Sequence, residues 1–409
     1  MLRVRALLIA VMCLICTPLW AQGQKVKVDY QVRFVPETNQ AQVSLSLNKA
    51  ERIRSFDFNL TEEGRYSDFQ GDGQWTQGED GRGVWLPGEG KSTLTYWVKI
   101  DNERNDGRYD ARMTEDWVLM RGDDLVPAAK VDLVDGTELS ARLEFVLPKG
   151  WRSVETGWPR IGKNRFRLDN PERKFDRPTG WLLAGKLGTR RTRLGETDVA
   201  ISAPVGEGLR RMDVMTFLTF IWPQMQAVFP RDPEKLLIVG AGDPMWRGGL
   251  SAANSYFMHS DRPVVSENGT SSLLHELVHV FGRIYGHDRS DWIAEGLAEY
   301  YAIELMRRAG GIDPDRYQKI REQLVEWSKP VKSLRTDNAS GAVTARAVLL
   351  LQDLDREIRQ KTKDSEELSL DDVSRGLMRM GKVSTQDFIE ITENVIGGPS
   401  DTLDTRLLR

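Results

Sequence analysis

The chain has 409 residues, a length that at about 150 residues per domain makes room for two or three domains. Hydrophobic residues make up 40% and charged residues 29%, with 36 glycines and 17 prolines spread along the chain, which excludes collagenous, coiled-coil and disordered classes. Lys and Arg number 57 against 60 Asp and Glu, and the net charge of −3 offers no global field for a polyanion, so nucleic acid is not an expected partner.

In chain order, residues 1–21 read as an export signal: Arg3 and Arg5, an apolar run over 6–16, a break at Pro18 and a small residue at Ala21 before the cut. The run falls short of the ~20 apolar residues that span a bilayer, and no later segment qualifies. The expected product is an exported protein of the periplasm or extracellular space, with no transmembrane segment once the signal is removed. Cys13 and Cys16 both lie in the signal, which leaves the mature chain without a thiol. From 25 to 195 the texture is that of short strands. Residues 41–47 (AQVSLSL), 92–100 (STLTYWVKI) and 141–147 (ARLEFVL) alternate apolar with polar positions between Gly-, Asp- and Asn-rich turns. This part predicts an antiparallel β-sandwich-like domain. Its tryptophans, among them Trp75, Trp85 and Trp97, are expected in the core rather than on a carbohydrate-binding surface.

The texture changes near Thr197. Residues 209–228 predict an amphipathic helix interrupted by Pro223, and residues 235–240 (KLLIVG) a short buried strand. From Ser271 onward the period is helical, through 291–308, 315–327, 342–359, 369–380 and 385–396. The fold class is therefore α+β and multidomain: residues 25–195 form the β-rich domain and 196–409 a second domain, α/β over 196–290 and helical over 291–409.

The chemistry concentrates where the histidines are. His259, His275, His279 and His287 are the four of the chain. Two of them form His275-Glu276-Leu277-Val278-His279, an HExxH pattern inside the helical run SSLLHELVHVFGRI. Four residues apart on a helix is one turn on one face, so both imidazoles converge at the spacing a tetrahedral metal site requires. Glu276 is offset beside them. A carboxylate there reaches a metal-activated water without taking a coordination position, which is the place of a general base. A catalytic zinc takes three protein ligands and leaves one position open. In the next helical run, DWIAEGLAEYY, Glu295 is the candidate third ligand, reached across a turn containing Gly286, His287 and Asp288. Glu299, one turn later, is placed to accept the free ring N–H of a ligand histidine. Zn2+ is the expected cofactor on the ligand types.

HELVH followed by WIAEGLAEYY resembles the gluzincin metallopeptidases, in which a glutamate in a W-x-x-E-G context on the next helix completes the zinc site. Within that clan the sequence is most similar to the glycyl aminopeptidase family. Gly248-Gly249-Leu250-Ser251-Ala252-Ala253-Asn254-Ser255 resembles its G-G-L-E-H-x-N-S segment, and residues 354–359 (LDREIR) and 369–372 (SLDD) resemble its helix and the acidic start of the next. Phe175-Asp176-Arg177-Pro178 sits near the end of a β-rich first domain, as in the family. The resemblance implies a thermolysin-like α/β plus helical catalytic domain, zinc on His275, His279 and Glu295, a peptide or protein substrate, and a chain that ends without the C-terminal PDZ domain of many relatives. It further implies that Gly248, Gly249, Leu250 and Ser251 bind substrate on a strand over 250–258, along whose edge the peptide pairs. His259 at the end of that strand and His287 in the turn are candidate substrate contacts.

Two positions depart from the family pattern. The glutamate expected to hold the substrate's amino group is Ser251 here, and a neutral hydroxyl makes no charge-assisted contact with an ammonium, which argues against aminopeptidase specificity. The tyrosine expected to stabilise the oxyanion falls near Thr344 or Ala345, and Tyr285, Tyr300, Tyr301 and Arg346 are the candidate substitutes. The expected function is zinc-dependent hydrolysis of peptide bonds with Glu276 as general base. The alternative is a catalytically inactive metallopeptidase-like envelope scaffold or binding protein.

Overall fold

The computed structural model describes residues 24–168, 175–364 and 366–409, and the expected signal over 1–21 lies outside them. Strict alternation builds the first unit. Along Gln24–Val35, Val26, Val28, Tyr30, Val32 and Phe34 are buried while the residues between them face solvent, and Gln40–Leu47 and Ser92–Lys99 repeat the pattern. These strands are central in a seven-stranded sheet, and a four-stranded sheet that includes Ile53–Asn59 and Arg82–Leu86 contributes Phe56, Phe58 and Trp85 to the same core. Trp85 is fully buried, with its indole N–H donating to the Asp72 carbonyl at 2.8 Å, and Trp75 stacks on Phe69. Trp97, by contrast, lies on the outer face. The sandwich departs from pure antiparallel pairing at one place: Gln24–Val35 is antiparallel to Gln40–Leu47 but parallel to Thr137–Val146. The intervening chain is long enough for the crossover that a parallel pair needs.

A five-stranded sheet organises the second unit, in the order Leu187–Leu194, Thr197–Pro204, Lys235–Ala241, Ser255–His259, Gly249–Ala252. The three central strands are parallel and both edge strands antiparallel to their neighbours. Lys235–Ala241 is buried along its whole length because both faces of the sheet are covered. On one side lie α1 (Arg211–Val228) and α2 (Ser272–Gly282), packed on Leu236, Ile238, Tyr256 and Met258. On the other, Trp117, Leu119, Trp181 and Leu183 of the first unit cover Leu237, Val239 and Phe257. The helical part follows as α3 (Asp291–Arg308), α4 (Pro314–Ser328), α5 (Ala342–Thr362), α6 (Leu370–Met380) and α7 (Thr385–Ile396).

Three details differ from the sequence expectation. The turn at 195 and 196 is the tip of the hairpin formed by Leu187–Leu194 and Thr197–Pro204, both strands of the second unit's sheet. LGTRRTRL is half exposed at the edge of that sheet. Helix α1 runs unbroken through Pro223, held by the buried Leu218, Ile221, Trp222 and Met225 on either side. The strand expected over 250–258 is a hairpin instead, turning at Ala253-Asn254, where Asn254 adopts a left-handed φ of 50° that asparagine tolerates.

Helices α3 and α5 approach so closely at Gly296 that a Cβ there would lie 2.8 Å from that of Ala347. Gly296→Val is therefore expected to destabilise the protein by about 1–3 kcal/mol through overpacking, seen as a lower urea midpoint at unchanged slope. A midpoint equal to the parent's would contradict this contact.

Candidate metal centre

Helix α2 begins at Ser271, whose hydroxyl accepts the Leu274 N–H at 3.2 Å, and it buries Leu273, Leu274, Leu277 and Phe281. That burial sets the roll of the helix and leaves His275 and His279 on a partly open side, their Nε2 atoms 3.3 Å apart. After the turn, α3 returns with its acidic side chains toward them. Glu295 Oε2 lies 3.3 Å from His275 Nε2, and Oε1 of the same carboxylate 3.3 Å from His279 Nε2. The three groups offer ligand atoms all within 4.8 Å of one another. Glu299, one turn further, places Oε2 2.9 Å from His275 Nδ1.

The electrostatics of this cluster ask for a cation. Burial works to lower the pKa of His275, but hydrogen bonds to Glu295 and Glu299 and their charges override it and push the imidazole up to about 10. Burial likewise works to raise Glu295, and its hydrogen bonds to the two histidines bring it down to about 2. Two imidazole nitrogens and one carboxylate, with a further carboxylate orienting one ring, are a donor set that fits a zinc ion with an open position.

Glu276 touches the sheet. Its Oε2 accepts the Ser251 N–H at 2.8 Å, which links the helix to the outermost strand, Gly249–Ala252. Gly249 has no room for a side chain, since a Cβ would sit 2.1 Å from the Tyr256 hydroxyl oxygen, and one on Gly248 would strike the Trp246 ring. Leu250 is 38% exposed, and its carbonyl accepts the Trp181 indole N–H of the first unit at 2.8 Å.

Two neighbours escaped the sequence reading. Tyr256 is fully buried, its pKa raised to about 12 by burial and then by the charge of Glu276. The glycine pair 248–249 was the available signal of a close approach. Arg283 donates to Asn254 Oδ1 at 3.1 Å and ties the end of α2 to the hairpin turn, a contact that no local pattern announces.

Other candidates fall elsewhere. His259 is 1% exposed at the end of its strand; its Nδ1 accepts the Asp261 N–H at 3.2 Å and its Nε2 lies 3.4 Å from Asp243. An imidazole that accepts at Nδ1 carries its proton on Nε2, and Arg247 already occupies Asp243, so the group of Asp243, His259 and Asp261 is poorly suited to a metal. His287 is 4.0 Å from Asp387 in the turn. Tyr301 donates to Asp371 and accepts from the Ser374 hydroxyl in the helical core, Tyr300 lines a separate cavity of about 620 Å³ with Glu304 and Gln352, and Tyr285 is 58% exposed on a short strand paired with Lys382. Thr344 and Ala345 are buried in α5.

No family model matches the sequence, and no curated protein does. Solved structures do match the fold. An aminopeptidase N family protein from Idiomarina loihiensis superposes with a TM-score of 0.66 at 16% identity, over 92% of this chain and 72% of that one. A mutant M1 zinc metallopeptidase from Deinococcus radiodurans, bound to a Tyr-Ser-Ala substrate, gives 0.56 at 16% identity over 95% and 94%. Aminopeptidase A from Legionella pneumophila, in complex with aspartic acid, gives 0.56 at 14% identity over 94% of this chain and 49% of that one. The chain thus has the two-unit fold, β-rich then α/β and helical, of M1 zinc metallopeptidases.

The contact of Glu299 with His275 generates a test. Replacing Glu299 with Ala is expected to weaken zinc binding ~10–100-fold in competition with a chromophoric chelator. Unchanged affinity would remove Glu299 from any part in holding the ion.

Proposed function

We propose that this chain is a zinc-dependent peptidase in which His275, His279 and Glu295 hold the ion and Glu276 is the general base. The observation that carries this reading is the convergence of the three ligand-type side chains beside a carboxylate that already touches the open edge of a sheet. When bound, zinc supplies Lewis acidity toward the peptide carbonyl and the attacking water. The chain's own groups do the rest. An extended peptide adds to the Gly249–Ala252 edge, where the backbone of Gly249 and Ser251 points away from the neighbouring strand. Its carbonyl competes with Glu276 for the Ser251 N–H. Glu276, freed from that hydrogen bond, takes a proton from the attacking water and returns it to the nitrogen of the leaving amine.

The same edge supports a view of specificity. Ser251 presents a hydroxyl where a carboxylate would be needed to hold an ammonium, so discrimination between free and blocked amino termini is weak. The apolar segment over 6–16 supports export, and among the described residues no helix is long and apolar enough to cross a membrane.

Digestion of a mixed peptide library by the zinc-loaded chain, read by mass spectrometry, tests the reading. Glu276→Gln is expected to slow cleavage ~10²–10⁴-fold with zinc still bound, and cleavage at the parent rate would refute the assignment. Acetylated and free-amine versions of one peptide are expected to be cut at similar rates by the parent, and Ser251→Glu is expected to favour the free amine by about tenfold or more. A parent enzyme that strictly requires a free amino terminus would overturn the view of Ser251.

A further inference from the structure

The outer face of the first unit's seven-stranded sheet is organised by register. Thr93, Ser46, Asp29 and Arg142 stand in one cross-strand row, and Thr95, Ser44, Gln31 and Glu144 in the next. Hydroxyl side chains on the middle strands are short and the flanking charged ones long, which leaves a trough of about 480 Å³. Within it the Ser46 and Thr93 hydroxyls lie 3.0 Å apart, and Arg165 pairs with Glu144 at 3.0 Å. Asp29 and Arg142 are register partners, yet among the described residues neither side chain makes a hydrogen bond or ion pair. Trp97, partly exposed opposite Gln42, continues the same face one step along the strand.

Charge sets this face apart from the rest of the chain. On the outward positions of Gln24–Val35, Thr137–Val146 and Arg165–Leu168, six cationic side chains stand against three acidic ones, in a chain whose net charge is −3. We propose that the trough binds an anionic glycan, a polyhydroxylated chain bearing carboxylate or phosphate groups. Ser44, Ser46, Thr93 and Gln31 each donate and accept, which matches sugar hydroxyls. Arg142, within the positive excess, takes the acidic substituent, and Trp97 offers an apolar face to a pyranose ring. Asp29 and Glu144 in the middle of the trough break the continuous basic stripe that a nucleic-acid backbone would use.

The test uses the mature full chain and microscale thermophoresis at one ionic strength. The probes are an oligogalacturonate (carboxylate), a phosphomannan oligomer (phosphate), neutral dextran, a single-stranded oligonucleotide and anionic phospholipid vesicles. At least one of the two acidic glycans is expected to bind about tenfold or more tighter than every other probe, and which of them does so identifies the acidic group. Arg142→Ala is expected to weaken that binding about tenfold. Ser44→Phe, which fills the trough and leaves the charge unchanged, is expected to do the same, with the thermal midpoint of both variants near the parent's. Absence of binding to either acidic glycan, equal binding of the oligonucleotide or the vesicles, or parental affinity in Ser44→Phe would overturn the proposal.

Discussion

The site depends on one carboxylate reaching two rings. Glu295 bridges His275 and His279 from a different helix, at 3.3 Å to each, so the crossing of α2 and α3 rather than either helix alone makes the centre. An imidazole pair one turn apart is cheap to encode, because helix geometry brings the rings together without help. The third group is expensive, since it needs a turn of the right length and a second helix held in register. Trp292, Ile293 and Leu297 of α3 are buried around Glu295, and Gly296 lets α5 close in behind it. With Glu299 on the next turn fixing His275, the acidic side of α3 acts as one block.

The sheet does the second half of the positioning. Because its two faces are buried, one by α1 and α2 and the other by the first unit, the outer hairpin is held from both sides. Trp181 anchors it from the first unit through the Leu250 carbonyl and the Ser255 hydroxyl, and Glu276 meets it from the helix at the Ser251 N–H. The edge strand and the metal centre are therefore not independent features. A peptide pairing with that strand would meet Glu276 at the Ser251 N–H, the backbone group it would itself use.

Local signals were legible and long-range ones were not. The helices over 291–308 and 385–396 coincide with α3 and α7, since amphipathic period and capping residues such as Ser384 act within a few residues of themselves. His275, His279, Glu276, Glu295 and Glu299 stood out because HExxH is a helical spacing and α3 follows after a short turn. The hairpin at 249–259 was hidden, because Ala253-Asn254 has the composition of the strands it joins and only Asn254 marks the turn. The membership of Leu187–Leu194 in the second sheet and the parallel pairing of Gln24–Val35 with Thr137–Val146 depend on partners distant in sequence. Tyr256 under Gly249 and Arg283 on Asn254 are contacts of the folded sheet and helix, and no periodicity carries them.

Whether His275, His279 and Glu295 together hold the ion is read most directly from zinc K-edge X-ray absorption of the chain loaded with one equivalent of the metal, beside the Glu295→Ala variant. The expected spectrum shows outer-shell scattering from two imidazoles together with carboxylate oxygen at zinc–ligand distances of about 2.0–2.2 Å, and loss of the carboxylate contribution in the variant. A spectrum showing a single imidazole, as binding at Asp243, His259 and Asp261 would give, or one unchanged by the loss of Glu295, would contradict it.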